Sequence, residues 1–153
     1  MMRLLSLFVM LSLLFASLCS CGSEPDAYEM LKEFVQVYGA EGVVYSPSIP
    51  ESQEGYMPPE LADRIYRFSG KPPDNFAVLL NSHTNGFYEC GVFVSTDADS
   101  LSSITETCLE RIRLLGGAGE NDFVKVSGRL IFYSTLSDRD RAERIWREII
   151  SKN

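Results

Sequence analysis

The chain has 153 residues and a formal net charge of −7, with 45% hydrophobic and 23% charged residues. This length fits one domain, and this composition excludes both an intrinsically disordered chain and a multi-pass membrane protein. The acidic balance also argues against nucleic acid as a partner, because a phosphate backbone attracts basic surfaces.

The first twenty residues predict a secretory signal peptide. A short positive start, Met1 to Arg3, precedes an apolar run from Leu4 to Leu18. A transmembrane helix is the alternative interpretation, but it needs about 20 apolar residues and this run is shorter. We therefore expect residues 1–20 to be removed when the chain is exported.

The end of this segment resembles the bacterial lipobox, with the sequence Leu18-Cys19-Ser20-Cys21. Cys19 fits the modified position less well than Cys21, because the bulky Leu18 would stand directly before the cut. An ordinary signal-peptidase site is harder to place for the same reason. We therefore expect a lipidated Cys21, a tether over residues 21–26 and an anchor on the extracytoplasmic face of the cell membrane. The two acyl chains of a diacylglyceryl group would hold the protein there without help from charge.

The mature chain is predicted to begin with a helix over Ala27 to Tyr38. Asp26 is the expected N-cap, Glu29 completes a capping box, and Gly39 suits the helix stop. Residues 43–45 indicate a short extended piece.

A proline-rich loop over residues 46–58 separates this helix from a second, shorter one. Pro59 suits its first turn, and Gly70 is the expected stop. The apolar side of this helix consists of Leu61, Ile65 and Phe68.

The rest of the chain predicts two copies of a strand–strand–helix unit. The four predicted strands are Phe76–Ser82, Glu89–Ser95, Phe123–Ser127 and Leu130–Ser134. The expected helix caps are Asp97 or Asp99 in the first unit, and Ser137 with Asp140 in the second.

These elements predict a single α+β domain over residues 27–153. We expect a four-stranded, mostly antiparallel sheet built from two ββα repeats, with two additional N-terminal helices. Runs such as Val92-Phe93-Val94 are apolar at consecutive positions, which indicates strands buried on both faces. The repeat helices are expected to cover one face and the N-terminal helices the other. A face left bare would instead serve a partner or a second copy of the chain.

Few residues could carry chemistry. His83 is the only histidine, and although Ser82 is adjacent, neighbouring residues on one loop rarely reach triad geometry. We therefore assign no catalytic residue. A small envelope hydrolase or transferase that uses the loop from Asn81 to Tyr88 is the alternative interpretation.

No metal site and no cofactor are predicted. One histidine and widely spaced cysteines do not give the ligand spacing of a zinc site. Asp97, Asp99 and Glu106 resemble a calcium loop, but the required glycine is missing and helix capping explains the two aspartates.

Cys90 and Cys108 are the cysteines that remain in the predicted domain. Exported proteins form disulfides, and a bridge between a strand and the following helix is one interpretation. Two buried free thiols are the other. Cys90 lies two residues before Val92 on one predicted strand, so their side chains share a face, and Cys108 lies one helical turn from Ile104. Both cysteines are therefore expected to point into one core.

Two runs, residues 89–99 and 124–133, each followed by a helix, resemble a family of clostridial lipoproteins with a domain of unknown function. The resemblance extends from about Ala27 to the C-terminus. It implies a surface lipoprotein of similar fold, and it implies no reaction. Because the sequence predicts a fold but assembles no catalytic group, we expect a non-catalytic binding domain. Its expected partners are membrane lipid at Cys21 and an envelope protein, and the oligomeric state is left open.

Overall fold

The structure is a computed structural model that describes residues 25–81, 87–116 and 119–153. The predicted signal peptide, Cys21 and most of the tether lie outside the described residues. None of the helices in the described ranges has the length and apolar character needed to cross a membrane. In chain order the elements are α1 (Ala27–Tyr38), β1 (Val43–Tyr45), α2 (Pro59–Tyr66), β2 (Asn75–Leu80), β3 (Glu89–Val94), α3 (Ala98–Leu114), β4 (Phe123–Ser127), β5 (Leu130–Ser134) and α4 (Arg139–Lys152).

The strands form one antiparallel sheet in the order β1-β2-β3-β5-β4. The α+β class and the antiparallel pairing are confirmed, but the prediction of four strands is wrong. The fifth strand is β1, in which Val43 pairs with Leu80 and Tyr45 with Val78. All three residues of β1 are half-buried, so their burial shows no alternation. It is the pairing with β2 that makes this segment a strand.

Each face of the sheet is covered by one N-terminal helix and one later helix. Helices α1 and α4 pack on one face, and α2 and α3 pack on the other. The predicted division, with both later helices on the same face, is therefore wrong. Alternation along the strands explains the two layers, because Val92 joins the α1/α4 core while its neighbour Phe93 joins the α2/α3 core. Since α3 and α4 lie on opposite faces, the two ββα units are not equivalent repeats.

Helix α1 begins and ends where the sequence predicts. The Asp26 carboxylate accepts a hydrogen bond of 2.9 Å from the Tyr28 backbone N–H. Gly39 ends the helix in the left-handed conformation, with a φ of 75°. The predicted capping box is only half formed, since Glu29 pairs with Lys32 at 3.5 Å rather than reaching back to Asp26.

The other helix ends show two corrections. Helix α2 stops at Tyr66 rather than at Gly70, because Arg67 turns into the left-handed region with a φ of 55° and its N–H donates to the Asp63 carbonyl at 2.7 Å. Helix α4 is capped by Asp138, which accepts from the Arg141 N–H at 3.0 Å, and not by Ser137. Asp97 is the cap of α3, as one of the two predicted options.

Candidate functional site: an arginine groove between α2 and α3

An open groove of about 680 Å³ runs between the C-terminal end of α2 and the outer side of α3. Its charged lining consists of Arg64, Arg67, Glu106, Glu110, Arg111 and Arg113. Its apolar lining includes Ile65, Leu109 and Leu114. We call this surface the arginine groove, because four arginines and only two carboxylates line it.

The wall of the groove reaches down to a buried polar cluster centred on Glu89. This residue opens β3 and is only 4% exposed. Oε1 of Glu89 accepts hydrogen bonds from Nε of Arg111 at 3.0 Å and from the Tyr66 hydroxyl at 3.0 Å, and Oε2 accepts from Nη2 of Arg111 at 2.8 Å. The Tyr133 hydroxyl also donates to Oε1 and lies 2.7 Å from the Tyr66 hydroxyl. We call these four residues the Glu89 cluster.

Four elements and one glycine form the Glu89 cluster, with Glu89 itself on β3. Tyr66 is the last residue of α2, Arg111 lies in the last turn of α3, and Tyr133 lies on β5. Gly91 is the cross-strand partner of Tyr133. A Cβ atom at Gly91 would stand 2.5 Å from Cε1 of Tyr133, so only glycine allows that ring to cross the strand.

Burial and charge shift the pKa values of the two tyrosines and the arginine around Glu89. The pKa of Tyr66 is raised well above its ordinary value by burial and by the neighbouring Glu89 charge. Burial, followed by the electrostatic influence of the neighbouring Tyr66 and Glu89, raises the pKa of Tyr133 in the same direction. The hydrogen bonds to Glu89 raise the pKa of Arg111. Both tyrosines are therefore neutral donors at neutral pH, and the arginine is a permanent cation.

The groove contains more hydrogen-bond donors than its own side chains use. Nε and Nη2 of Arg111 donate hydrogen bonds to Glu89, whereas Nη1 makes no hydrogen bond to any residue that the structure describes. The side chains of Arg64 and Arg67 are exposed, and within the same ranges they form no hydrogen bond or ion pair. Arg113 pairs with Glu110 at 3.1 Å on the surface, where such a pair is weak. With Glu89 counted as the partner of Arg111, four arginines face three carboxylates, Glu89, Glu106 and Glu110, so the groove carries a net charge of +1 on an acidic protein.

The two domain cysteines do not meet. Cys90 and Cys108 are both buried free thiols. Cys90 belongs to the core under α1 and α4, whereas Cys108 belongs to the core under α2 and α3. The expectation that both point into one core is wrong, because the sheet lies between them. Of the two interpretations of this pair, the structure has the free thiols, and burial raises the pKa of each.

The predicted loop from Asn81 to Tyr88 is only partly described, and Ser82 and His83 lie outside the described residues. At its far end, the Tyr88 hydroxyl donates to the Glu41 carbonyl at 2.7 Å, which ties the loop to the segment after α1. Asp97 accepts from the Ser100 N–H at 2.9 Å as a helix cap. Across the described ranges, no group of three or more histidine, cysteine, aspartate or glutamate side chains could hold a metal ion.

Sequence reasoning missed the Glu89 cluster and the groove. One signal was present: Glu89 is a charged residue at the start of an otherwise apolar strand that is buried on both faces. A buried carboxylate requires a partner, but the pattern does not identify which arginine supplies it. Arg111 lies 22 residues away and meets Glu89 only after α3 packs on the sheet.

Known proteins add no assignment to this geometry. Comparison of the chain with family models, with curated proteins and with solved structures finds no match in any of the three.

Proposed function

We propose that the chain is a lipid-anchored extracytoplasmic lipoprotein whose domain is a non-catalytic binding module, with the arginine groove as its binding surface. The lipobox at Cys21 and the resemblance to clostridial lipoproteins support the anchored location. The unused donors of Arg64, Arg67 and Arg111, gathered in one groove, are the observation that carries the binding role.

The Glu89 cluster supports a binding surface because it prepares one of these arginines in advance. Two hydrogen bonds to Glu89 fix the plane of the Arg111 guanidinium before any ligand arrives. A donor that is already ordered loses less side-chain entropy on binding than a free one. The ligand therefore meets one donor that Glu89 holds in place, on Arg111, and two exposed donor side chains, on Arg64 and Arg67.

The same cluster supports a binding role over a catalytic one. Both carboxylate oxygens of Glu89 already accept hydrogen bonds, and each tyrosine hydroxyl donates its single proton to Glu89. A general base must instead reach a substrate proton, directly or through one water. No observation on the described residues favours the alternative hydrolase or transferase at the Asn81 to Tyr88 loop.

The anchored location is tested by substitution of the predicted lipidated residue. We expect Cys21→Ser to be misprocessed and to leave the membrane fraction, with Cys19→Ser as the matched control that stays in it. Mass spectrometry of the native protein should find an N-terminus at Cys21 that carries a diacylglyceryl group. A Cys21→Ser protein that still fractionates with membranes would contradict the proposed location.

The binding role is tested in cells of the source organism that lack the protein. We expect the double variant Arg64→Gln/Arg67→Gln to fail to restore the fitness of the deletion strain. The control Arg144→Gln/Arg147→Gln removes the same charge from α4, on the opposite face of the sheet, and should restore it. Equal restoration by both variants would exclude the groove as the functional surface. Loss of function in His83→Ala alone would favour the enzymatic alternative.

A further inference from the structure

We propose that the arginine groove binds an acidic peptide segment of a protein partner, with carboxylates on Arg64, Arg67 and Arg111 and an apolar side chain against Leu109 and Leu114. This inference rests on the proposed function, since it names the ligand chemistry of the same groove. It goes further in assigning both a charge and an apolar contact to the partner.

Charge complementarity indicates that the ligand carries an anionic group. The chain carries a net charge of −7, yet four of its 14 basic residues line this one groove. Glu110 pairs with Arg113 and the buried Glu89 pairs with Arg111, which leaves Arg64 and Arg67 against the single lining carboxylate of Glu106. Guanidinium groups bind carboxylates through two parallel hydrogen bonds, as Arg111 already does with Glu89. An anionic group therefore has donors available at Arg64, Arg67 and Nη1 of Arg111.

Exposed apolar side chains in the groove indicate that the ligand also carries an apolar group. Leu109 is 41% exposed and Leu114 is 69% exposed, and both line the groove with the half-buried Ile65. A small inorganic anion would leave these leucines in water, so it accounts for only the arginines. A peptide that carries carboxylates and an aliphatic side chain covers both parts of the surface.

The position of the groove favours a protein partner over a lipid headgroup. The tether leads into α1, and α1 packs on the opposite face of the sheet from α2 and α3. With the proposed anchor at Cys21, the groove lies on the face of the sheet that α1 does not cover. A segment of another envelope protein can approach this face without competing with the membrane that holds the anchor.

Fluorescence anisotropy of a short labelled peptide that alternates glutamate and leucine tests the inference on the full mature chain. We expect saturable binding that weakens as salt is added, because the contacts are ionic. Arg64→Gln/Arg67→Gln should weaken the affinity about tenfold, since two exposed charge contacts together are worth roughly 1–2 kcal/mol. Arg144→Gln/Arg147→Gln is the control with equal charge loss and should bind as the original protein does. Circular dichroism and thermal unfolding confirm that each variant is folded.

Three further probes separate the parts of the ligand. A peptide that alternates lysine and leucine should not bind, and one that alternates glutamate and serine should bind more weakly, because the leucines of the groove then stay uncovered. Vesicles that contain phosphatidylglycerol, offered to the chain without its lipid, should show no dependence on Arg64 and Arg67.

The outcomes that overturn the inference are specific. They are failure of the glutamate–leucine peptide to bind, equal binding by the groove variant and the control variant, and a groove-dependent interaction with phosphatidylglycerol vesicles alone. If the peptide fails while the groove variant still loses function in cells, the ligand class is wrong and the proposed binding role stands. If the groove variant also restores the deletion strain, the proposed function itself fails.

Discussion

The Arg111 guanidinium and the Glu89 carboxylate face each other in a two-point contact, with Nε 3.0 Å from Oε1 and Nη2 2.8 Å from Oε2. The Glu89 side chain is 5% exposed and that of Arg111 is 22% exposed. The pair therefore joins the buried end of β3 to the wall of the arginine groove, and one contact serves both the stability of the fold and the geometry of the surface.

Replacement of Glu89 by leucine should destabilise the protein. Arg111 would keep its charge with no carboxylate to balance it, and loss of one partner from a buried pair costs about 3 kcal/mol. Urea unfolding followed by circular dichroism measures this change in the free energy of unfolding. The matched control Glu110→Leu removes the partner of Arg113 from an exposed pair and should change the same quantity by less than about 1 kcal/mol.

The double variant Glu89→Leu/Arg111→Met tests whether the unpaired charge of Arg111 causes this loss of stability. Since both charges are then absent, most of the lost stability should return. A double variant as unstable as Glu89→Leu alone would show that the tyrosine hydroxyls, rather than the unpaired arginine, cause the loss.

Gly91→Ala should destabilise the fold by about 1–3 kcal/mol through overpacking. The new methyl group would meet Cε1 of Tyr133 at 2.5 Å and Cγ1 of Val78 at 3.0 Å, so the neighbouring side chains would have to shift. Gly119→Ala is the control, because its nearest neighbour would be an Asp122 oxygen at 3.7 Å. Thermal unfolding compares the two variants, and equal melting temperatures would contradict the packing argument.

Local signals made most of the helices and strands predictable from the sequence. Asp26, Gly39 and Asp97 act within one turn of the chain, so their roles as helix ends follow from sequence spacing. The correct end of α2 was not predictable in this way. It depends on Arg67 adopting a left-handed conformation that glycine would normally take, so the pattern pointed to Gly70 instead.

The arrangement of the layers depends on contacts that are distant along the chain. The apolar runs in β3 and β5 correctly indicate burial on both faces, but periodicity does not say which helix covers which face. Because α3 and α4 lie on opposite faces of the sheet, Cys90 and Cys108 belong to separate cores. The same arrangement brings α3 beside α2, where the groove lies. The Glu89 cluster depends on the same layering, since Tyr66, Arg111 and Tyr133 reach Glu89 over separations of 22 to 44 residues.

The stability of the protein should fall at alkaline pH because of Tyr66 and Tyr133. The pKa of each hydroxyl is raised in the folded state, whereas in the unfolded chain it is about 10. The stabilising contribution is therefore fully present below pH ~10 and is lost as the pH rises through the folded pKa values. Urea unfolding between pH ~8 and ~11 should show a steeper loss for the original protein than for Tyr66→Phe. Tyr45→Phe, outside the cluster, is the control, and identical slopes for all three proteins would contradict the prediction.

The stability of the protein should also fall at acidic pH because of Asp74, the residue before β2. Its carboxylate accepts from Nζ of Lys71 at 2.9 Å, and from the N–H and hydroxyl of Thr96 at 2.8 and 2.9 Å, which lowers its pKa to about 2. A lowered folded pKa means that this contribution is present above the unfolded pKa of about 3.9 and is lost as the pH falls through about 2. Carboxyl chemical shifts in a nuclear magnetic resonance titration measure the value directly. We expect Lys71→Met to raise it towards the ordinary range, and an unchanged midpoint in that variant would show that Lys71 is not the main cause.

The two domain cysteines should stay unreactive while the protein is folded. Cys90 and Cys108 are 0% exposed, and burial raises the pKa of both thiols, so neither access nor thiolate is available to an alkylating reagent. Iodoacetamide should therefore label both residues in urea and neither in buffer, as read from the masses of their peptides. Because the sheet separates them, the result should be the same with and without reductant. Recovery of a Cys90–Cys108 cross-linked peptide from the unreduced protein would contradict the arrangement, since it would require one of the two side chains to cross the sheet between the α1/α4 core and the α2/α3 core.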